Sequence, residues 1–419
     1  MRLAGVARAT TSAVHRAYWS SQMIDAESIA FAIAVTVAGL SLAYVALCIA
    51  VVRAWRRHGA ENPATMPGPV TVLKPLCGAE PELAENLRSF CDQSYPTMQI
   101  LLGARASDDP ALDVARRVAA PFTDHEIEVL SGDTPLGPNR KINTLAHLLS
   151  SARHDVLVIA DSDIRAGPSY LREVVTPLAD ASVGLVTCLY RGMPTSSVWS
   201  RVAALWIDEW LLPSVLVSRM LGSSAYCSGA TMALRREVLE AAGGFPVLAR
   251  LLADDHALSA RISALGLRVV VSRYEVATTV HEPDVRALFA HELRWMRTIR
   301  TARPLGHACL FVTFALPMTI VALPFAHRHP WVIALPLLAL ALRIALHRVV
   351  QYPVLQDAPH PPRTLCDDRR SVWLIPARDL LSFVVWAASF ASRRVTWREH
   401  TMRVRPDGIL LTVEDGRSA

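Results

Sequence analysis

The sequence predicts an α/β protein with a Rossmann-like, mostly parallel sheet, held by an N-terminal transmembrane anchor and followed by C-terminal membrane segments. Three observations carry that expectation: an uncharged apolar run near the start, a middle of alternating strand and helix patterns, and apolar stretches near the end. Composition agrees. Of 419 residues, 52% are hydrophobic and 19% charged, and the mean hydropathy is +0.28. Soluble domains carry roughly 25% charged residues, so a disordered chain, a coiled coil and an ordinary cytosolic enzyme are excluded. The net charge of +6 suits a membrane surface or an anionic substrate and is too small to argue for nucleic acid. The seven cysteines are scattered without a CxxC pair, which fits a reducing compartment rather than a disulfide framework or a zinc site.

Taken in order, residues 1–22 lack clear periodicity and read either as a disordered tail or as an extension upstream of a start at Met23. Ile29–Val52 then exceeds the roughly 20 residues a helix needs to cross a bilayer. Arg53, Arg56 and Arg57 follow at once, so the positive-inside rule puts the far end in the cytoplasm as an uncleaved anchor. A Pro-rich joint, Asn62–Pro69, leads into the globular part. Strand patterns fall at Val70–Lys74, Gln99–Ala104, Glu126–Leu130, Val156–Asp161, Gly184–Tyr190, Thr231–Leu234 and Arg268–Ser272. Helix patterns sit between them at Pro81–Asp92, Pro110–Ala120 and Arg140–Ser151. After Arg303, Ala308–Ala326 is long enough to span and Trp331–Leu346 is short for a crossing. Ser371–Ala391 carries Arg378 and Asp379 near its middle. Charges at that depth call for a segment packed against protein or re-entrant. Three full crossings would place the Arg-rich end (Arg393, Arg394, Arg398, Arg403 and Arg405) outside, so a cytoplasmic C-terminus is expected.

The sharpest chemical signal is Val156-Leu-Val-Ile-Ala-Asp161-Ser-Asp163, an apolar strand running into two carboxylates. Open α/β sheets bind ligands at that edge, and carboxylates one residue apart can hold a hard divalent cation through oxygen. The bare motif also describes any acidic turn. Asp254 and Asp255 open a helix pattern, where capping is the plain reading of Asp254; Asp255 is the better candidate for a general base. His291, Arg294 and Trp295 share one helix face at i, i+3 and i+4. Arg suits a diphosphate and Trp can floor a pocket, though the same stretch also reads as an interfacial helix. Gly137-Pro-Asn-Arg-Lys141 sits at a helix start that favours an anion, or is simply a loop with a basic first turn. Ser228-Gly-Ala-Thr231 is small enough for close ligand approach or for tight packing.

In this order the motifs resemble a membrane-bound glycosyltransferase of the GT-A fold, of the family 2 and 21 type, close to the ceramide glucosyltransferases. Within that group the chain is most similar to the bacterial hopanoid-biosynthesis-associated glycosyltransferases. Carrying the resemblance are Leu73-Lys-Pro-Leu-Cys-Gly-Ala-Glu-Pro, Glu85-Asn-Leu-Arg-Ser-Phe, Gly137-Pro-Asn-Arg-Lys, Asp155-Val-Leu-Val-Ile-Ala-Asp-Ser-Asp-Ile-Arg, Gly184-Leu-Val-Thr-Cys-Leu-Tyr-Arg-Gly, His291-Glu-Leu-Arg-Trp and Arg393-Arg-Val-Thr-Trp. It covers about residues 68–410. The implied organisation is a tail (1–28), an anchor (29–53), a GT-A domain (68–290), an interfacial helix region (284–306), membrane segments (308–392) and a basic cytoplasmic tail (393–419).

The resemblance implies an inverting transfer from a UDP-sugar to a lipid hydroxyl at the bacterial inner membrane, on its cytoplasmic side. It makes Asp161 and Asp163 the metal–diphosphate motif, with Mg2+ or Mn2+ as cofactor, and Asp255 the catalytic base. His291, Arg294 and Trp295 match the (Gln/Arg)xxRW box, with His in place of its usual first residue, and Lys141 matches a donor-side basic position. One departure stands out: Ala106 falls where the family's first, base-holding aspartate is expected, and Asp108 or Asp109 substitutes only after a local shift. The implied reaction is transfer of N-acetylglucosamine to bacteriohopanetetrol, with a ceramide glucosyltransferase using UDP-glucose as the alternative. A catalytically silent membrane scaffold, supported by Ala106 alone, is the alternative of a different class.

Overall fold

In a computed structural model, the described residues are 3–57, 68–222, 226–351, 372–392, 394–397, 400–405 and 409–412. Most of the Asn62–Pro69 joint, and Arg393 and Arg398 of the tail, lie outside them.

The first helix runs Leu3–Arg57, so the stretch read as a disordered tail is helical and continuous with the anchor. Its Ala-rich composition favours a helix even without a periodic apolar face. Ala26–Arg57 is the part apolar enough to cross a membrane. Leu42, Val45, Ile49 and Val52 on it pack against Leu212, Val215 and Leu216 and against Leu346 and Val350 of the helix Ala334–Val350.

The globular part is one eight-stranded sheet: β1 (Val70–Leu76), β2 (Met98–Ala104), β3 (Glu126–Ser131), β4 (Val156–Ile159), β5 (Ile164–Arg165), β6 (Val183–Pro194), β7 (Met232–Arg235) and β8 (Arg268–Val280). The spatial order is β3-β2-β1-β4-β7-β6-β8-β5. β3, β2, β1 and β4 run parallel, as do β6 and β8, while β7 is antiparallel to both its neighbours and β5 to β8. The mostly parallel sheet expected from the strand–helix alternation is therefore present, with β7 reversing its centre. Both faces are covered. Leu87, Phe90 and Leu112 pack on one with Tyr170, and Ile142, Leu145, Leu258 and Ile262 on the other. Parallel strands buried on both faces read as continuous apolar runs, which is why they are conspicuous in the sequence.

Two strands outrun their apolar cores. β8 continues eight residues past Ser272 despite Arg273 and Glu275, because Glu275 is buried and takes Arg191 at 2.7 Å and Arg56 at 3.8 Å. β6 extends alongside it to Pro194.

Three helical stretches are long and apolar enough to cross a membrane: Ala26–Arg57, Pro330–Val350 and Val372–Ser389. The second corrects the reading of Trp331–Leu346 as short, since the helical stretch is 21 residues. The run expected to span, Ala308–Ala326, lies in a pair of segments, Pro304–Thr313 and Ala315–His327, bent by 64°. Pro317 has no N–H for the Thr313 carbonyl, and Phe314 leaves helical geometry at φ −97°, ψ 72°. Arg378 and Asp379 are packed against protein: Arg378 grips Glu292 at 2.5 and 2.7 Å, and Asp379 takes Arg343 at 3.0 Å. Beyond the last apolar helix a small antiparallel sheet, β9 (Arg394–Trp397), β10 (His400–Val404) and β11 (Leu410–Thr412), comes back to the globular part. Ile409 bridges Leu251, and Arg300 donates to the Ser392 carbonyl at 2.7 Å.

Candidate active site

β1 and β4 lie side by side at the sheet centre, and their C-terminal ends set the site. β4 ends at Ile159, and the chain turns through Asp161, Ser162 and Asp163 before β5. Buried Lys74, on β1, donates to the Asp161 carbonyl at 2.8 Å and sits 3.5 Å over the Phe90 ring. Burial pulls its ammonium down to about 7, against the attraction of Asp163 and Asp161. The Asp161 carboxylate takes Lys141 at 2.6 Å. Asp163 is anchored from β8: its Oδ2 accepts from Thr278 at 2.8 Å and its carbonyl from the Thr279 N–H at 2.8 Å. Ser162 donates to Glu80 at 2.7 Å.

Lys141 comes from the helix Arg140–Leu149, whose start is fixed by Asn139. That side chain accepts from the Ile142 N–H at 3.3 Å and donates to the Leu251 carbonyl at 3.0 Å and to Asp254 at 3.3 Å. The Asn139 cap thus occupies the helix start read as an anion cradle and ties it to the segment bearing Asp254 and Asp255. Asp254 is not the cap expected: Ala253 holds that position, and Asp254 is buried with an Oδ2 that finds no hydrogen-bond partner. Asp255 accepts from the Gly229 N–H at 3.0 Å and the His256 N–H at 2.7 Å.

Gly229 closes the ring. A Cβ there would stand 2.7 Å from both Asp161 Oδ2 and Lys141 Nζ, so a larger residue would have to push the ion pair aside. Asp161, Asp163, Asp254, Asp255 and Lys141, with Gly229 between them, therefore form one cluster drawn from four places in the chain. Burial, then the neighbouring Asp161 charge, pushes Asp163 up to about 6; burial likewise pushes Asp254 up to about 6 and raises Asp255, against the pull of Lys141. Burial opposes the charge on Lys141, but Asp161 and Asp254 overturn it and hold the ammonium above the ordinary lysine value.

His291, Arg294 and Trp295 stand on the helix Val285–Ala302, which follows β8 and so begins close in sequence to the Thr278 and Thr279 anchors of Asp163. His291 Nδ1 lies 2.6 Å from buried Glu282, its ring packs edge-on against Trp295 at 4.4 Å, and Trp295 lies 5.0 Å from Trp206. Asp109 has structural partners: it caps the helix Pro110–Ala119 through Ala111 (2.9 Å) and accepts from the Gly78 N–H at 2.9 Å. Asp108 is exposed. Both follow β2, at the same end of the sheet as Asp161.

Sequence reasoning left Lys74, Asn139 and Glu80 without a role at the site. For Lys74 a signal existed, a lysine inside the otherwise apolar strand Val-Thr-Val-Leu-Lys-Pro-Leu.

The model of glycosyl transferase family 21 matches residues 34–410. Among curated relatives, ceramide glucosyltransferase 1 of Caenorhabditis elegans is 24% identical over 242 residues, 57% of this chain and 51% of that protein. A ceramide glucosyltransferase of Komagataella phaffii is 33% identical over 99 residues, 23% of this chain and 19% of that one. The chain thus spans about half or less of the curated relatives it matches. A mannosyltransferase from Pyrobaculum calidifontis, solved with GDP-mannose and Mn2+, superposes with a TM-score of 0.51 at 20% identity, over 86% of this chain and 98% of that one. The sheet is that of a GT-A glycosyltransferase. With a match running from the anchor into the tail, the chain is a member of glycosyl transferase family 21.

Proposed function

We propose that the protein transfers a sugar from a UDP-sugar to the hydroxyl of a membrane lipid, with inversion at the anomeric carbon. The observation that carries this is the cluster of Asp161, Asp163 and Asp255 around Lys141 and Gly229, in a chain whose apolar helices bring it to a membrane.

The donor set fits a divalent cation such as Mg2+ or Mn2+. Asp161 and Asp163 offer hard oxygen ligands, and burial, helped by the neighbouring carboxylates, raises Asp163 and Asp254. When bound, such an ion would offset charge on the departing diphosphate. Lys141 would bind the same diphosphate from the donor side, with Arg294 a second cation toward it. Asp255, oriented by the Gly229 and His256 N–H groups, would take the proton of the acceptor hydroxyl. The acceptor oxygen forms its bond to the anomeric carbon as the sugar–phosphate bond breaks, and the electron pair leaves with UDP. Trp295, packed against Trp206, which in turn stacks on Trp210, would floor the acceptor side. His291 would hold the helix through Glu282. Asp108 or Asp109 would serve the uracil only by leaving their present positions.

The return of the tail to Leu251 supports a topology with an even number of crossings after Arg303: Pro330–Val350 and Val372–Ser389 cross, and the bent pair turns back. The GT-A domain and the C-terminus then share the cytoplasmic side of a bacterial inner membrane, beside the anchor's arginines.

Within this reaction class we read N-acetylglucosamine transfer to bacteriohopanetetrol as the activity. The curated relatives favour a second reading, glucose transfer to ceramide. Membranes overexpressing the protein would be offered each UDP-sugar with each lipid, and the products read by mass spectrometry. A hexosamine-bearing hopanoid is expected. Hexosylated ceramide would replace that substrate pair, and no sugar on any lipid would favour the silent scaffold.

A further inference from the structure

Where the anchor emerges from the apolar zone, a cavity of about 310 Å³ lies away from the sugar-transfer cluster. Val51, Ala54 and Trp55 of the anchor line it with Leu216, Arg219 and Met220 of the helix Leu212–Met220 and Arg273 of β8. One wall is thus aliphatic and the other carries two guanidinium groups. Met220 and the adjoining Leu221 are 53% and 74% exposed, so the apolar wall continues onto the surface.

Two observations point to a missing anion. Arg273 is built in: it donates to the Trp55 carbonyl at 2.5 Å and stacks 3.7 Å over the Trp55 ring. Arg219 stands close enough to feel its charge, yet among the described residues its guanidinium has no hydrogen-bond or ion-pair partner. Burial, then the Arg273 charge, lowers the Arg219 pKa, the reverse of what a carboxylate neighbour would do. Two like charges at one opening call for several acceptor oxygens carrying negative charge. A phosphodiester is such a group, and Arg pairs with it well.

The position selects the source. Arg53 and Arg57 flank the cavity in sequence and are exposed, which sets this level of the anchor among lipid headgroups. Val51, Leu216 and Met220 then lie where the glycerol and first acyl carbons of a lipid would follow its phosphate. We propose that this cavity binds the headgroup of an anionic phospholipid, with the phosphate between Arg219 and Arg273 and the chains along the aliphatic wall.

The test uses the full chain in neutral detergent, with native mass spectrometry counting bound short-chain phosphatidylglycerol, phosphatidylcholine of the same chains, or inorganic phosphate. Phosphatidylglycerol should bind more tightly than phosphatidylcholine. Arg219→Met should weaken its binding about fivefold, as expected from about one lipid-facing cation, while Arg219→Lys stays within about twofold of wild type. Lipid-free thermal unfolding of both variants should match wild type, which separates lost binding from lost fold. Equal binding of the two lipids, or an Arg219→Met variant that keeps its phosphatidylglycerol affinity, would overturn the site. Displacement of phosphatidylglycerol by equimolar inorganic phosphate would overturn the lipid as occupant.

Discussion

Two clusters of buried charge, one at the sheet edge and one among the membrane helices, solve the same problem in opposite ways. In the membrane cluster Arg343 bridges Glu209 (3.0 Å) and Asp379 (2.9 Å), His347 meets Glu209 at 2.5 Å, and Arg378 holds Glu292 through both of its terminal nitrogens. Acids and bases there match within the chain, as a low-dielectric site demands. At the sheet edge Asp161, Asp163, Asp254 and Asp255 face Lys141 and Lys74, and Asp254 keeps an oxygen with no partner. A balanced cluster holds helices together. In the proposed reaction, the acidic surplus is met by positive charge that arrives with a ligand.

The contrast is broken most forcefully at Asp255. Asp255→Asn keeps the shape and can accept from one of the two N–H groups, Gly229 or His256, but removes the proposed base, so turnover should fall by about 10²–10⁴-fold while UDP binding persists. Unchanged turnover would remove Asp255 from the reaction. In the membrane cluster the largest effect should be on stability. Arg378→Met strands the Glu292 carboxylate and should cost about 3–5 kcal/mol by thermal unfolding in detergent, whereas Arg378→Met with Glu292→Leu should recover most of it. A double variant no better than the single would mean the pair is not the unit that matters.

Those two sites also differ in how far they can be read before folding. Asp161, Asp163 and Asp255 announce themselves because a strand edge and a helix start are local patterns. Arg378 and Asp379 are equally visible as charges in an apolar run, but their partners Glu292 and Arg343 lie 86 and 36 residues away, and no local rule pairs them. The same blindness shortened β8: Arg273 and Glu275 look like the end of a strand until Trp55, Arg191 and Arg56 are brought to them. The bend at Phe314 is hidden for another reason, since apolar content is indifferent to a 64° turn inside the run. Gly229 read only as small; its role appears once Asp161 and Lys141 stand against it.

That last point gives a finer test. Gly229→Ala must displace the Lys141–Asp161 pair, and a shift of about 1 Å should lower turnover by about 10²-fold with little change in unfolding temperature. Wild-type turnover would show that the pair tolerates displacement. The smallest effect is expected at Asp109. As a helix cap that also holds the Gly78 N–H, its replacement by Ala should cost about 1 kcal/mol of stability and leave the affinity for UDP unchanged. A weakened UDP affinity at full stability would instead make Asp109 the stand-in for the aspartate absent at Ala106.

The acidic surplus itself is tested most directly by removing the cation. Lipid glycosylation would be followed in excess chelator and then during back-titration with Mn2+ or Mg2+, with the unfolding temperature recorded alongside. The account predicts that turnover is lost in chelator and returns with the metal, while the charge-balanced membrane helices unfold at the same temperature throughout. Full turnover in excess chelator would contradict it, leaving Lys141 to neutralise the diphosphate without a metal.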